Sequence, residues 1–107
     1  MIVLAATLAA CGSSASSKSA IRKTCQQVAA VLSDGPDPGA DPIGYAEAQV
    51  LPLRQIKTSQ KVLQRAIDEL ASAYHAFSSD GDDHQAARTA VAVASRRINV
   101  ICPGAAQ

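Results

Sequence analysis

The chain has 107 residues, which is the length of one domain. Hydrophobic residues make up 48% of it, many of them alanine, and the only aromatic residues are two Tyr and one Phe. The formal net charge of +1 argues against nucleic acid as a partner, because nucleic-acid-binding domains usually carry a clear basic excess. No run of about twenty apolar residues occurs, so the sequence predicts no membrane-spanning helix in the folded domain.

The first 19 residues fall into two parts of different composition. Residues 1–10, MIVLAATLAA, are apolar, and Cys11 is followed by GSSASSKS, which is typical of a flexible tether. Residues 8–11, Leu-Ala-Ala-Cys, resemble the lipobox of bacterial lipoproteins. This resemblance implies that residues 1–10 are a signal peptide and that Cys11 is lipidated, with residues 11–19 as the tether. The composition of the chain also resembles that of small actinobacterial lipoproteins.

The apolar run differs from a usual secretory signal because no Lys or Arg precedes it. Either the signal is unusually short or the true start codon lies upstream. The alternative to lipidation is a buried N-terminal helix that contains a small buried cysteine.

Two helices are predicted before the middle of the chain. Apolar residues at helical spacing predict the first over residues 19–32, and Gly35 and Pro36 end it. Asp41 and Pro42 are a helix start, with the carboxylate as N-cap and proline at the first position. A short helix over residues 43–51 should follow, because Pro52 removes an amide donor and favours a break or a sharp kink at 51–53.

An apolar repeat with alternating steps of three and four predicts a long amphipathic helix over residues 53–78. Its members are Leu53, Ile56, Gln60, Leu63, Ile67, Leu70, Tyr74 and Phe77. After a turn, Asp82 or Asp83 should cap a last helix over residues 83–102, and residues 104–107 should form a frayed tail. The predicted fold class is all-α: a small antiparallel three-helix bundle over residues 20–103, with 43–51 as a candidate short fourth helix.

The cysteines support the export hypothesis. Lipidation of Cys11 would leave Cys25 and Cys102 as a pair. In an exported protein, an even number of remaining cysteines indicates a disulfide. We therefore expect a Cys25–Cys102 disulfide that joins the first and last helices. The alternative, two free buried thiols, requires a cytosolic protein.

The sequence contains no familiar catalytic motif, such as G-x-S-x-G, H-E-x-x-H or C-x-x-C. His75 and His84, with Asp80, Asp82 and Asp83 between them, could form at most a weak surface metal site. We interpret them as exposed turn and capping residues. The prediction is a protein that is not an enzyme and holds neither a metal nor a cofactor.

Basic residues follow one side of the predicted long helix, and no acid occurs between Leu53 and Arg65. They are Arg54, Lys57, Lys61 and Arg65. In a tethered domain such a face could contact anionic headgroups, and each basic residue near the surface would add about 1 kcal/mol. The alternative is a solvated face on which Arg65 pairs with Asp68 or Glu69.

Two functional hypotheses follow. The first is a monomeric lipoprotein at the outer face of the cytoplasmic membrane, a non-catalytic interaction module whose partner is an envelope protein or the headgroup surface. The second is a carrier or sensor of a small apolar ligand bound between the helices near Tyr45, Gln60, Tyr74 and Phe77. The second predicts a cavity, which small alanines leave more readily than leucines, and Gln60 would then line a polar part of it. Otherwise Gln60 sets helix register.

Overall fold

A computed structural model describes residues 2–79 and 84–106 of the chain, with side chains from residue 18 onward. In these ranges all regular secondary structure is α-helical, which confirms the all-α class. The four helices are α1 (Ile2–Ser33), α2 (Pro42–Gln55), α3 (Lys61–Ser79) and α4 (His84–Ile101). The predicted helix cap at Asp82 or Asp83 lies outside the described residues. None of the described helices combines the length and the apolarity that crossing a membrane requires.

Helix α1 ends as predicted but begins much earlier. Its backbone is helical from Ile2 to Ser33, including residues 12–19, which the sequence predicts as a flexible tether. No proline precedes Pro36, so no ring removes a backbone donor from this segment, although Gly12 and the serines of residues 13–19 have lower helix propensity than alanine. At the end of α1 Gly35 adopts a left-handed φ of +99°, a conformation that glycine reaches without a steric penalty.

Helix α2 begins at the predicted cap and continues past Pro52. The Asp41 carboxylate accepts a hydrogen bond from the Gly44 amide at 3.0 Å, as expected of an N-cap. Of the two alternatives predicted at 51–53, the break is wrong, because the helix runs on to Gln55 with Pro52 inside it. Val50 and Leu53 are both buried, and their packing offsets the roughly 3 kcal/mol that an interior proline costs.

The long helix predicted over 53–78 is interrupted at residues 56–60. Ile56 is extended, and the Gln64 side chain accepts from the Thr58 amide at 2.9 Å and donates to the Ile56 carbonyl at 3.2 Å. The Thr58 hydroxyl accepts from the Gln60 amide at 3.2 Å. Such local side-chain bonds compete with helical hydrogen bonds. Gln60 therefore lies in the connection between α2 and α3 and not in the buried seam.

Helix α3 supplies the largest share of the core, and it packs against both α2 and α4. Its buried residues are Leu63, Ala66, Ile67, Leu70, Ala71, Ala73, Tyr74 and Phe77. The predicted disulfide is confirmed: Cys25 of α1 is bonded to Cys102, just beyond α4, with a Cα–Cα distance of 5.3 Å. It fastens α1 to the C-terminal end of α4.

Candidate ligand-binding cleft

A cleft of about 780 Å³ lies where all four helices meet. Its volume is in the range of small-molecule sites, and most of its lining is apolar. Three of the four residues predicted for a ligand pocket line it, namely Tyr45, Tyr74 and Phe77, whereas Gln60 does not. The other lining residues are Leu32, Ser33, Pro38, Pro42, Arg88, Val91, Ser95, Gly104, Ala105 and Ala106.

The regular spacing of α3 and α4 brings these side chains together. Tyr74 and Phe77 are three residues apart on α3, and Arg88, Val91 and Ser95 are separated by three and four residues on α4. Residues at these spacings share one helix face. The cleft is therefore the seam between α3 and α4, closed from the other side by the end of α1 and the start of α2.

Two tyrosines form the centre of the cleft. The rings of Tyr45 and Tyr74 meet edge to face, with centroids 5.9 Å apart and an interplanar angle of 79°. The Tyr45 hydroxyl donates to the Leu32 carbonyl at 2.5 Å. That carbonyl lies in the last turn of α1, where helical partners are absent, so Tyr45 satisfies a group that the helix leaves free.

The two phenols and Ser95 also interact with one another. Burial raises the pKa of Tyr74, the charge and the hydrogen bond of Tyr45 raise it further, and the hydrogen bond of Ser95 lowers it. Burial raises the pKa of Tyr45, whereas the hydrogen bond of Tyr74 lowers it. Tyr45 of α2 thus connects two other helices, because its ring packs against Tyr74 of α3 and its hydroxyl bonds to the Leu32 carbonyl of α1.

The C-terminal residues form one wall of the cleft. Gly104 has a φ of +81°, which turns the chain back, and the Ala105 amide donates to the Cys102 carbonyl at 3.0 Å. The Asn99 amide group donates to the Ala106 carbonyl and accepts from the Ala106 amide, both at 2.8 Å. The frayed tail predicted from residue 104 onward is therefore wrong for residues 104–106. The sequence signal for this packed turn, which the predicted frayed tail overlooked, is Asn99, an asparagine a few residues before Pro103-Gly104.

Arg88 is the second feature that sequence reasoning missed. It is exposed yet lines the cleft, so it lies at the mouth. In the described part of the chain no carboxylate lies within ion-pair distance of it. Arg88 lies one turn before Val91, on the face of α4 turned to Tyr74. The sequence alone does not place it at the cleft, because it does not show that α3 packs against α4.

The predicted basic residues are all on the surface. Arg54, Lys57, Lys61 and Arg65 are exposed, and Lys61 and Arg65 line a second, more open groove of about 920 Å³ between α3 and α4. The expected pairing of Arg65 is not seen within the described residues. There Glu69 pairs with Arg97 of α4, and Asp68 accepts from Gln64 at 3.1 Å.

Neither histidine lines the cleft. His75 is exposed, and the His84 ring meets Phe77 edge to face with centroids 5.5 Å apart. The described residues contain no group of three His, Cys, Asp or Glu side chains that could hold a metal ion. Asp80, Asp82 and Asp83, considered with the histidines as a weak metal site, lie outside the described residues.

No protein-family model, curated protein or solved structure matches this chain. The chemistry of the cleft is therefore argued from its own residues. It combines apolar surface with two neutral phenols, the Ser95 hydroxyl and the Arg88 guanidinium. These groups are suited to holding and orienting a small molecule.

Proposed function

We propose that this protein is a non-catalytic carrier or sensor that binds a small, largely apolar ligand between its helices. The observation that carries the proposal is the cleft itself, which has the volume of a ligand site and is lined by Tyr45, Tyr74 and Phe77. Of the two hypotheses drawn from the sequence, this one requires a cavity at those residues. Burial of apolar ligand surface would supply the affinity, at roughly 0.8 kcal/mol for each buried CH₂ group.

Filling the cleft tests this proposal. Val91→Trp places a large ring at a position that lines the cleft, whereas Ala92→Trp adds the same ring at an exposed neighbour that does not. Native mass spectrometry of the wild-type protein extracted from its own membrane should show a small-molecule adduct. The adduct should disappear in Val91→Trp and persist in Ala92→Trp. A wild-type protein without added mass, or an adduct of equal abundance in both variants, would contradict the proposal.

We also propose that the protein is a monomeric lipoprotein at the outer face of the cytoplasmic membrane, anchored through Cys11 after removal of residues 1–10. The Leu-Ala-Ala-Cys sequence supports this, and so does the Cys25–Cys102 disulfide, since disulfides persist in oxidising compartments. The same spectra test it: a chain that begins at Cys11 and carries two or three acyl groups is expected, and an unprocessed chain would contradict the anchor.

A finer description of the fold belongs with this proposal. We propose that α2, α3 and α4 run antiparallel to their neighbours, as in a bundle, with α1 held alongside by the disulfide. The short connections support this arrangement, since residues 56–60 and 80–83 are the only ones between these helices.

A second candidate function is an interaction module that contacts an envelope protein or anionic headgroups through the basic face. The supporting observation is that Arg54, Lys57, Lys61 and Arg65 are all exposed and have no carboxylate partner in the described ranges. Reversing the charge of Arg54, Lys57 and Lys61 should abolish co-sedimentation with phosphatidylglycerol vesicles. Neutral phosphatidylcholine vesicles are the control. Unchanged co-sedimentation would exclude headgroup binding through this face.

A further inference from the structure

Two polar groups of the cleft already bond to each other. The Tyr45 hydroxyl donates to the Leu32 carbonyl at 2.5 Å, and the Tyr45 ring meets the Tyr74 ring edge to face. Burying this hydroxyl and this carbonyl beneath an apolar ligand therefore leaves neither of them without a partner, which would otherwise cost free energy. Although it contains hydroxyl groups, the inner part of the cleft is suited to a hydrocarbon chain.

Arg88 is different, because none of its donors has a carboxylate partner among the described residues. It is the one charged side chain that lines the cleft in the described part of the chain, and no acid lies beside it there. A guanidinium presents a planar fork of donors that matches a carboxylate or a phosphate. The mouth of the cleft is thus suited to an anion.

The distance between Arg88 at the mouth and the inner end of the cleft sets the length of a ligand. Arg88 and Ser95 are seven residues apart on α4, a rise of about 10 Å along the helix axis. Beyond Ser95 the cleft meets the wall made by Ala105 and Ala106, which Asn99 holds in place. An elongated molecule with its charge at Arg88 would have its other end at this wall.

Building on the proposed ligand-binding function, we infer that the ligand is a single-chain anionic amphiphile. Its carboxylate or phosphate binds Arg88 at the mouth, and its hydrocarbon chain lies along Val91 and the two tyrosine rings. The two head groups share the chemistry that the guanidinium recognises. A free fatty acid would supply the carboxylate, and a single-chain phospholipid would supply the phosphate.

Isothermal titration calorimetry on the 107-residue chain tests the inference with three probes of equal chain length: decanoate, decyl phosphate and decanol. At least one acid should bind wild type about tenfold or more tightly than decanol, as a charge-assisted hydrogen-bonded pair allows. Arg88→Gln should reduce that affinity to the level of decanol, and Arg88→Lys should retain part of it. Arg96→Gln, an exposed arginine on α4 that does not line the cleft, should leave it unchanged.

The outcomes separate this inference from the function on which it rests. If decanol binds as tightly as both acids, or if Arg88→Gln and Arg96→Gln reduce affinity equally, the head-group assignment is overturned while the ligand-binding proposal stands. If wild type binds none of the three probes, both are overturned. A preference for decanoate or for decyl phosphate that requires Arg88 supports the inference and identifies the source of the anion.

Discussion

Removing the Cys25–Cys102 disulfide should destabilise the fold severely. The bonded residues are 77 positions apart in sequence, and a loop of this length corresponds to about 4.5 kcal/mol in the chain-entropy treatment. Apart from the disulfide, α1 is held by two buried residues, Thr24 and Val28, by half-buried apolar residues packed against the core and by the bond from Tyr45 to the Leu32 carbonyl. Domains typically have roughly 5–15 kcal/mol in total, so the variant should lose about a third or more of its free energy of unfolding.

The comparison is a urea titration followed by helical circular dichroism, with the oxidised wild type and the Cys25→Ala, Cys102→Ala double variant. For a slope of about 1–3 kcal/mol/M, the midpoint should fall by roughly 1.5–4.5 M. Cys11→Ala is the matched control, since it removes a cysteine outside the disulfide and should leave the midpoint unchanged. A loss below about 1.5 kcal/mol at an unchanged slope would refute the reasoning, because α1 would then be held by packing or the reduced unfolded chain would retain structure.

Two further predictions concern the core and the cleft. Leu70→Ala should reduce the free energy of unfolding by about 2.7–5 kcal/mol, because Leu70 is 0% exposed, whereas Leu51→Ala at a 68% exposed position should change it by less than about 0.5 kcal/mol. Similar losses in both variants, measured by urea titration, would contradict the assigned core. The second prediction concerns the pH dependence of stability. Above its ordinary pKa of 10.0, Tyr74 ionises in the unfolded chain but stays protonated in the fold. The unfolded state then binds fewer protons, so the free energy of unfolding falls as pH rises. This group should lower the free energy of unfolding by up to about 1.4 kcal/mol per pH unit, and that loss should vanish in Tyr74→Phe. If the variant shows the same pH dependence as wild type, the result argues against burial of the phenol.

Local signals predicted much of the secondary structure. The three–four apolar repeat identified the buried face of α3, and Asp41 with Pro42 identified the start of α2. Both signals work over one or two helical turns, so they can be recognised without knowing the neighbours. The predicted boundary between α2 and α3 was wrong. Pro52 predicted a boundary at residues 51–53, whereas the helix ends at Gln55, before the segment whose backbone bonds to the Gln64 side chain. The effect of Gln64 depends on how residues 56–60 fold, which no local pattern shows.

The sequence by itself determined the all-α class, the core face of α3 and the pairing of Cys25 with Cys102. The period of the apolar residues determines which side of a helix is apolar. The chain has three cysteines, and if the one in the lipobox-like segment is lipidated, the other two remain as a pair. The sequence predicted a pocket near Tyr45 and Tyr74, but only the tertiary structure decided that Arg88 and residues 104–106 line the same cleft and that Gln60 does not. Tyr45, Tyr74, Arg88 and residues 104–106 come from α2, α3, α4 and the C-terminal turn, and no local pattern records which helix faces meet. Where the helices pack, and therefore what the cleft can hold, depends on contacts between residues far apart in the chain.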